Sequence, residues 1–150
     1  MEFHLAGLGV SLAVLAPGLL LWCFPPREPF PTAVAPAPAR WAERAGQALC
    51  LTLPAVTASG AFTWSWSVPM AGGLLLYYAL WVRYLKTGRR VAALYWWRGI
   101  PVPMAILPVV VFLSAAGWLG SPWIAVAALV LAAGHIPVSW VIARTMRESA

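Results

Sequence analysis

Three long stretches of this chain carry no Asp, Glu, Lys or Arg at all: residues 3–26, 45–82 and 99–143. That spacing of charge limits the fold more than any motif does. A soluble domain carries roughly a quarter charged residues to solvate its surface. Here charged residues make up 9% and apolar ones 62%. In water such a chain would expose large apolar patches and aggregate; lipid is the solvent that removes the problem.

A membrane-spanning helix needs about 20 mostly apolar residues to cross ~30 Å of hydrocarbon. Five segments meet or approach that length: Leu5–Phe24, Ala45–Trp66, Pro69–Leu85, Gly99–Leu119 and Pro122–Ala143. The expectation is an all-α, polytopic bundle of five transmembrane helices forming one domain over residues 1–150. The third segment is the least apolar, because Arg83 lies near its end; a long side chain can carry its charged head to the interface. The connections alternate. Pro25–Arg44 is long and proline-rich, and is expected to be extended. Trp66–Pro69 and Gly120–Pro122 are expected to be tight turns, and Lys86–Arg98 a basic loop.

Orientation follows from the basic residues. Arg27, Arg40 and Arg44 lie in the first connection. Arg83, Lys86, Arg89, Arg90 and Arg98 belong to the third, and Arg144 and Arg147 follow the last segment. Five crossings put all ten on one side, whereas four would divide them. Basic residues near span ends are retained in the cytoplasm, so the N-terminus is expected outside and the C-terminus inside. Tryptophan gives a separate indication, because indole prefers the headgroup layer. Trp22, Trp41, Trp81, Trp96, Trp97 and Trp140 fall at one boundary, and Trp64, Trp66, Trp118 and Trp123 at the other. Nine arginines against one lysine, with abundant alanine, suit a GC-rich prokaryotic genome, so the expected location is the inner (cytoplasmic) membrane. The first apolar run lacks a basic start and ends in Trp22-Cys23-Phe24-Pro25-Pro26, a poor cleavage site, and is expected to persist as a span.

The partner implied is the bilayer itself. Arg83, Lys86, Arg89, Arg90 and Arg98 are the expected contacts to anionic lipid at the cytoplasmic face, each worth ~1 kcal/mol near the surface. A membrane-protein partner or a second copy of the chain is left open. Nucleic acid is not needed to explain the net charge of +6.

Chemistry is sparse. The sequence contains no Asp or Asn, and its acids are Glu2, Glu28, Glu43 and Glu148, none inside an expected span. That disfavours carboxylate proton relays. Two His and two Cys are scattered without ligand spacing, so neither a metal nor a cofactor is expected. Glu43, between Arg40 and Arg44, reads as a solvated ion-pair cluster at the cytoplasmic face. His135 is the one ionisable side chain expected within the bilayer. Ser139, at i+4, shares its face, and Thr52 and Tyr78 fall at the same depth. These four form a candidate polar cluster, readable either as an interhelical hydrogen bond or as a ligand contact.

Proline supplies a further expectation. Pro17, Pro54, Pro108 and Pro137 each remove a helical hydrogen bond and free the carbonyl four residues earlier, at Ala13, Cys50, Met104 and Ala133. In lipid, freed carbonyls must find partners or line a cavity. Pro101 and Pro103 are expected in the first turn of the fourth helix. Small residues at four-residue spacing (Gly7 and Ser11, Gly9 and Ala13, Ala128 and Ala132) mark expected packing seams.

In length, helix number, tryptophan content and long first connection the chain resembles the tryptophan-rich sensory proteins of the translocator type. Their paired prolines are followed by Trp and Phe; here Pro25-Pro26 is followed by Arg27-Glu28. Arg44-Ala45 at a span start is similar to small membrane glutathione transferases, without their downstream Asn and Glu. No residue role is carried over from either. The leading functional expectation is therefore a binding or accessory protein, either a subunit of a membrane complex or a binder of a lipid or apolar small molecule between kinked helices. A small transporter component and a membrane enzyme using His135 or the Glu/Arg face are the alternatives.

Overall fold

A computed structural model describes residues 4–31, 33–57 and 60–148. The chain is all-helical: α1 (Leu5–Cys23), α2 (Ala37–Val56), α3 (Ser67–Lys86), a single turn α4 (Ala92–Tyr95), α5 (Pro103–Leu119) and α6 (Pro122–Glu148). A short antiparallel ribbon pairs β1 (Trp96–Trp97) with β2 (Ile100–Pro101). Two helices, α1 and α6, are long and apolar enough to cross a membrane; α5 is apolar but shorter.

The five long helices form a ring in the order α1, α2, α6, α5, α3, which α1 closes against both α5 and α3. Glycines set the closest approaches. A Cβ at Gly7 would overlap the Pro54 carbonyl, one at Gly46 the backbone of Leu131, and one at Gly134 the backbone of Glu43. These pairings make α2 antiparallel to both α1 and α6. Of the expected seams, Gly7 and Ser11 are buried, Gly9 faces open space, and Ala128 is buried while Ala132 is only half-buried. A Cβ at Gly73 would come within 3.2 Å of the Val111 side chain, a close approach of α3 to α5.

Several boundaries differ from those expected. The second helix begins at Ala37, not residue 45, and ends at Val56, not residue 66. Prolines 36 and 38 start the helix instead of excluding it, because a residue in the first turn needs no intrahelical N–H bond. The extended first connection is shortened accordingly. The link from α2 to α3 is not a tight turn at 66–69. It runs beside the α5–α6 corner, with Gly60 N–H donating to Leu119 O (2.9 Å) and Thr63 N–H to Trp118 O (3.1 Å), then makes a 3-10 turn at Trp64–Trp66. The fourth helix starts at Pro103 rather than residue 99. Pro101 is therefore in β2, and only Pro103 is helical. The ribbon turns through Arg98 (φ 49) and Gly99 (φ 82), the two positive-φ positions of a tight hairpin. The last helix continues past residue 143 to Glu148, and at 27 residues exceeds the length a bilayer requires.

All ten basic residues lie at one end of this ring, where α1, α3 and α6 finish and α2 and α5 begin. The other end carries a ring cluster in which Phe62 stacks near Trp64 (centroids 6.2 Å) and Trp118 (5.4 Å). Trp81 departs from the boundary pattern: its indole is 3% exposed, packed edge-on between Tyr77 and Tyr84.

Candidate functional site

The early start of α2 changes the chemistry of the bundle. Glu43 lies in its second turn, and the missing side chain of Gly134 lets that turn rest directly on α6. There Glu43 Oε1 sits 2.6 Å from Nδ1 of His135, both side chains being less than one-fifth exposed (18% and 16%). Glu43 is thus not the solvated partner of Arg40 and Arg44, and a carboxylate does lie within a long helix. Arg44 instead lies over the Trp41 ring, 5.7 Å from its centroid. Tyr95, in α4, has its phenol pushed up to about 12, first by burial and then by the nearby Glu43 charge.

His135 also lines a cavity of about 580 Å³ to which all five long helices contribute, a size ordinary for small-molecule sites. Its wall is largely hydrocarbon: Val14, Leu15 and Leu19 from α1, Leu51 from α2, Phe112 from α5 and Leu131 from α6. Polar groups are few. Gln47 and Cys50 follow Glu43 at i+4 and i+7 on one face of α2, and Tyr77 and Trp81 come from α3. No lysine or arginine is among the lining residues. Leu15, Leu19, Trp22 and Gln47 are exposed as well as lining, so the cavity opens sideways between α1 and α2. The two helices are pinned at Gly7–Pro54 and Ser11–Cys50.

Two of the four proline-freed carbonyls meet a side-chain hydroxyl. The Tyr78 hydroxyl donates to Ala13 O (2.9 Å), tying α3 to α1. The Ser11 hydroxyl donates to Cys50 O (3.0 Å), tying α1 to α2. Met104, freed by Pro108, lines the cavity together with that proline. Ala133 is exposed.

The four residues of the expected polar cluster are not brought together. Thr52 is exposed, and its hydroxyl donates to Ala48 O of its own helix (2.9 Å). Tyr78 is occupied with Ala13. Ser139 is buried one turn beyond His135. Equal depth does not fix direction around a helix: at ~100° per residue Thr52 points about 200° away from Cys50. Glu43, Gln47, Tyr77 and Trp81 were missed; the i, i+4, i+7 spacing of Glu43, Gln47 and Cys50 is the signal that held three of the helix-face residues.

Of the expected anionic-lipid contacts, Lys86, Arg90 and Arg98 are exposed and Arg89 is half-buried. Arg83 is turned inward, its Nη1 donating to the carbonyls of Ala93 and Trp96 at 2.7 Å each. Arg147 lies over the Trp96 ring (4.8 Å to the centroid), beside Trp140 and Arg144 in a second, smaller niche. Among the described residues, no three His, Cys or acidic side chains converge.

These features define a class: an all-helical protein with apolar outer faces and a sideways-opening internal cavity. The chain matches no family model, no curated protein and no solved structure, so its reading rests on this geometry.

Proposed function

We propose that the chain is a five-span inner-membrane protein, with its N-terminus outside and its C-terminus in the cytoplasm, that holds a lipid-like or apolar small molecule in the cavity between α1 and α2. Sidedness is supported by the ten basic residues at one end and by the apolar residues displayed outward around the ring, among them Leu12, Val68, Leu75, Val126 and Leu129. In water these side chains form a liability; in lipid they are solvated. The helices α2, α3 and α5 carry charge at one end or are short, yet pack in one bundle with α1 and α6, which supports the reading that they span with them. Lys86, Arg90 and Arg98 suit contact with anionic headgroups at the cytoplasmic face.

The observation that carries the binding reading is the cavity's sideways opening. A ligand entering from the bilayer never has to cross water, and a portal of Leu15, Leu19 and Trp22 suits a hydrocarbon chain. Gly18 provides the test. It lines the cavity, and a Cβ there meets no atom within 4 Å. Gly18→Leu therefore fills the space without pushing on backbone. Native mass spectrometry after mild detergent extraction is expected to show a retained small molecule on the wild type and its loss from Gly18→Leu, with thermal stability kept. Equal occupancy of the two proteins, or an empty wild type, overturns the reading.

A further inference from the structure

We infer that the cavity selects an uncharged amphiphile bearing a hydroxyl group, which donates its proton to Nε2 of His135 while its chain lies out between α1 and α2. This rests on the binding reading above and adds the headgroup. The 2.6 Å separation of His135 Nδ1 and Glu43 Oε1 requires a proton between them. With the carboxylate accepting and the ring carrying one proton, that proton is on Nδ1 and Nε2 is left as an acceptor, the state the inference assigns to the pair. Glu43 is the sole hydrogen-bond partner of His135 among the described residues. His135 lines the cavity and Glu43 does not, so the carboxylate stands behind the ring and fixes its tautomer from outside.

In a wall whose other polar groups are Gln47, Cys50, Tyr77 and Trp81, an imidazole acceptor discriminates by what a headgroup offers it. A hydroxyl satisfies it, and Gln47, one turn along α2 from Glu43, offers an N–H to the hydroxyl oxygen. An ether or ketone brings only lone pairs and leaves Nε2 unpaired, the costly outcome for a buried polar group. A carboxylate headgroup would bury a negative charge near Glu43 with no lysine or arginine in the lining to meet it. An ammonium would carry its charge into a largely hydrocarbon wall that Glu43, standing behind the ring, does not line.

The test uses the full chain in lipid nanodiscs and four twelve-carbon probes of matched length: dodecanol, dodecyl methyl ether, dodecanoate and dodecylamine. Dodecanol is expected to bind about tenfold more tightly than the ether, the worth of one hydrogen bond with its buried partner otherwise unpaired. In Glu43→Gln the amide can meet Nδ1 with either its oxygen or its N–H, so the tautomer is no longer fixed and the alcohol–ether ratio is expected to fall below the wild-type value. His135→Phe is expected to erase the preference while hydrocarbon binding survives, which a merely structural role for the pair does not produce. If Glu43→Gln does not fold, the wild-type ratio and His135→Phe decide the matter. Equal binding of all four probes leaves the cavity reading standing and removes the headgroup inference. Tighter binding of the amine or carboxylate also removes it. Failure of every probe to bind removes both.

Discussion

At Gly134 the distance between two helices is set by an absent methyl group. The Glu43 backbone occupies the volume a Cβ would need, and Gly46 makes the reciprocal contact with Leu131. Backbone cannot yield as a side-chain tip can, so Gly134→Ala is expected to cost ~1–3 kcal/mol. It should also lengthen the Glu43–His135 contact, and a lowered melting temperature in detergent would register the cost. The hydroxyl ties are weaker by nature. Ser11→Ala and Tyr78→Phe each leave one proline-freed carbonyl without its donor, and each is expected to cost about 0.6–2 kcal/mol by the same melting assay. Tyr95 makes an alkaline prediction with a definite sign. Its folded-state pKa is raised from 10.0 to about 12, so the folded protein holds the phenolic proton more tightly than the unfolded chain does. The associated stability is complete below pH 10 and is lost as pH rises towards 12. Tyr95→Phe should flatten the melting temperature across that window relative to wild type.

The elements show which parts of the fold were readable from the chain. Apolar runs locate α1, α3, α5 and α6 within a few residues, because in a charge-poor chain the charged residues cluster at helix ends. Hydropathy fails at α2, whose first two turns carry Arg40, Glu43 and Arg44 and whose start is marked by prolines; polar helical turns look like loop by composition alone. The 96–101 ribbon was also hidden, its signal being one glycine after an arginine that adopts positive φ. Of the site, His135 was visible as an ionisable group in an apolar run, but its partner was not, because pairing depends on the azimuth of two helices and not on depth. Arg83 illustrates the same limit: its charge was legible, its inward direction was not. By holding the carbonyls of Ala93 and Trp96 it clamps α4 and the ribbon against α3. Arg83→Met is expected to loosen that segment locally, so that trypsin cleaves at Arg89, Arg90 or Arg98 several-fold faster while the global melting temperature moves by only a few degrees.

For the whole molecule, the sidedness of charge and the antiparallel ring make one joint prediction. Every turn at the basic end is bounded by arginine or lysine, and the opposite end offers aromatic rings and hydroxyls but no cation among its described residues. Moving the molecule across the membrane in the other sense would carry ten cationic side chains through hydrocarbon, each at a cost of roughly 2.5–3.5 kcal/mol at the bilayer centre. One orientation should therefore be populated. Cys23 is exposed at the end of α1 and Cys50 is buried, so the wild type already carries a single reactive reporter for the basic end. A membrane-impermeant maleimide is expected to label Cys23 in inverted vesicles and not in right-side-out spheroplasts. In a Cys23→Ser background, Thr63→Cys, in the connection beside the α5–α6 corner, should show the opposite pattern. Labelling of both positions from the same side breaks the five-span arrangement, because α2, the one long helix between them, must then fail to cross. Reciprocal labelling with the sides exchanged leaves the helix count intact and overturns the orientation.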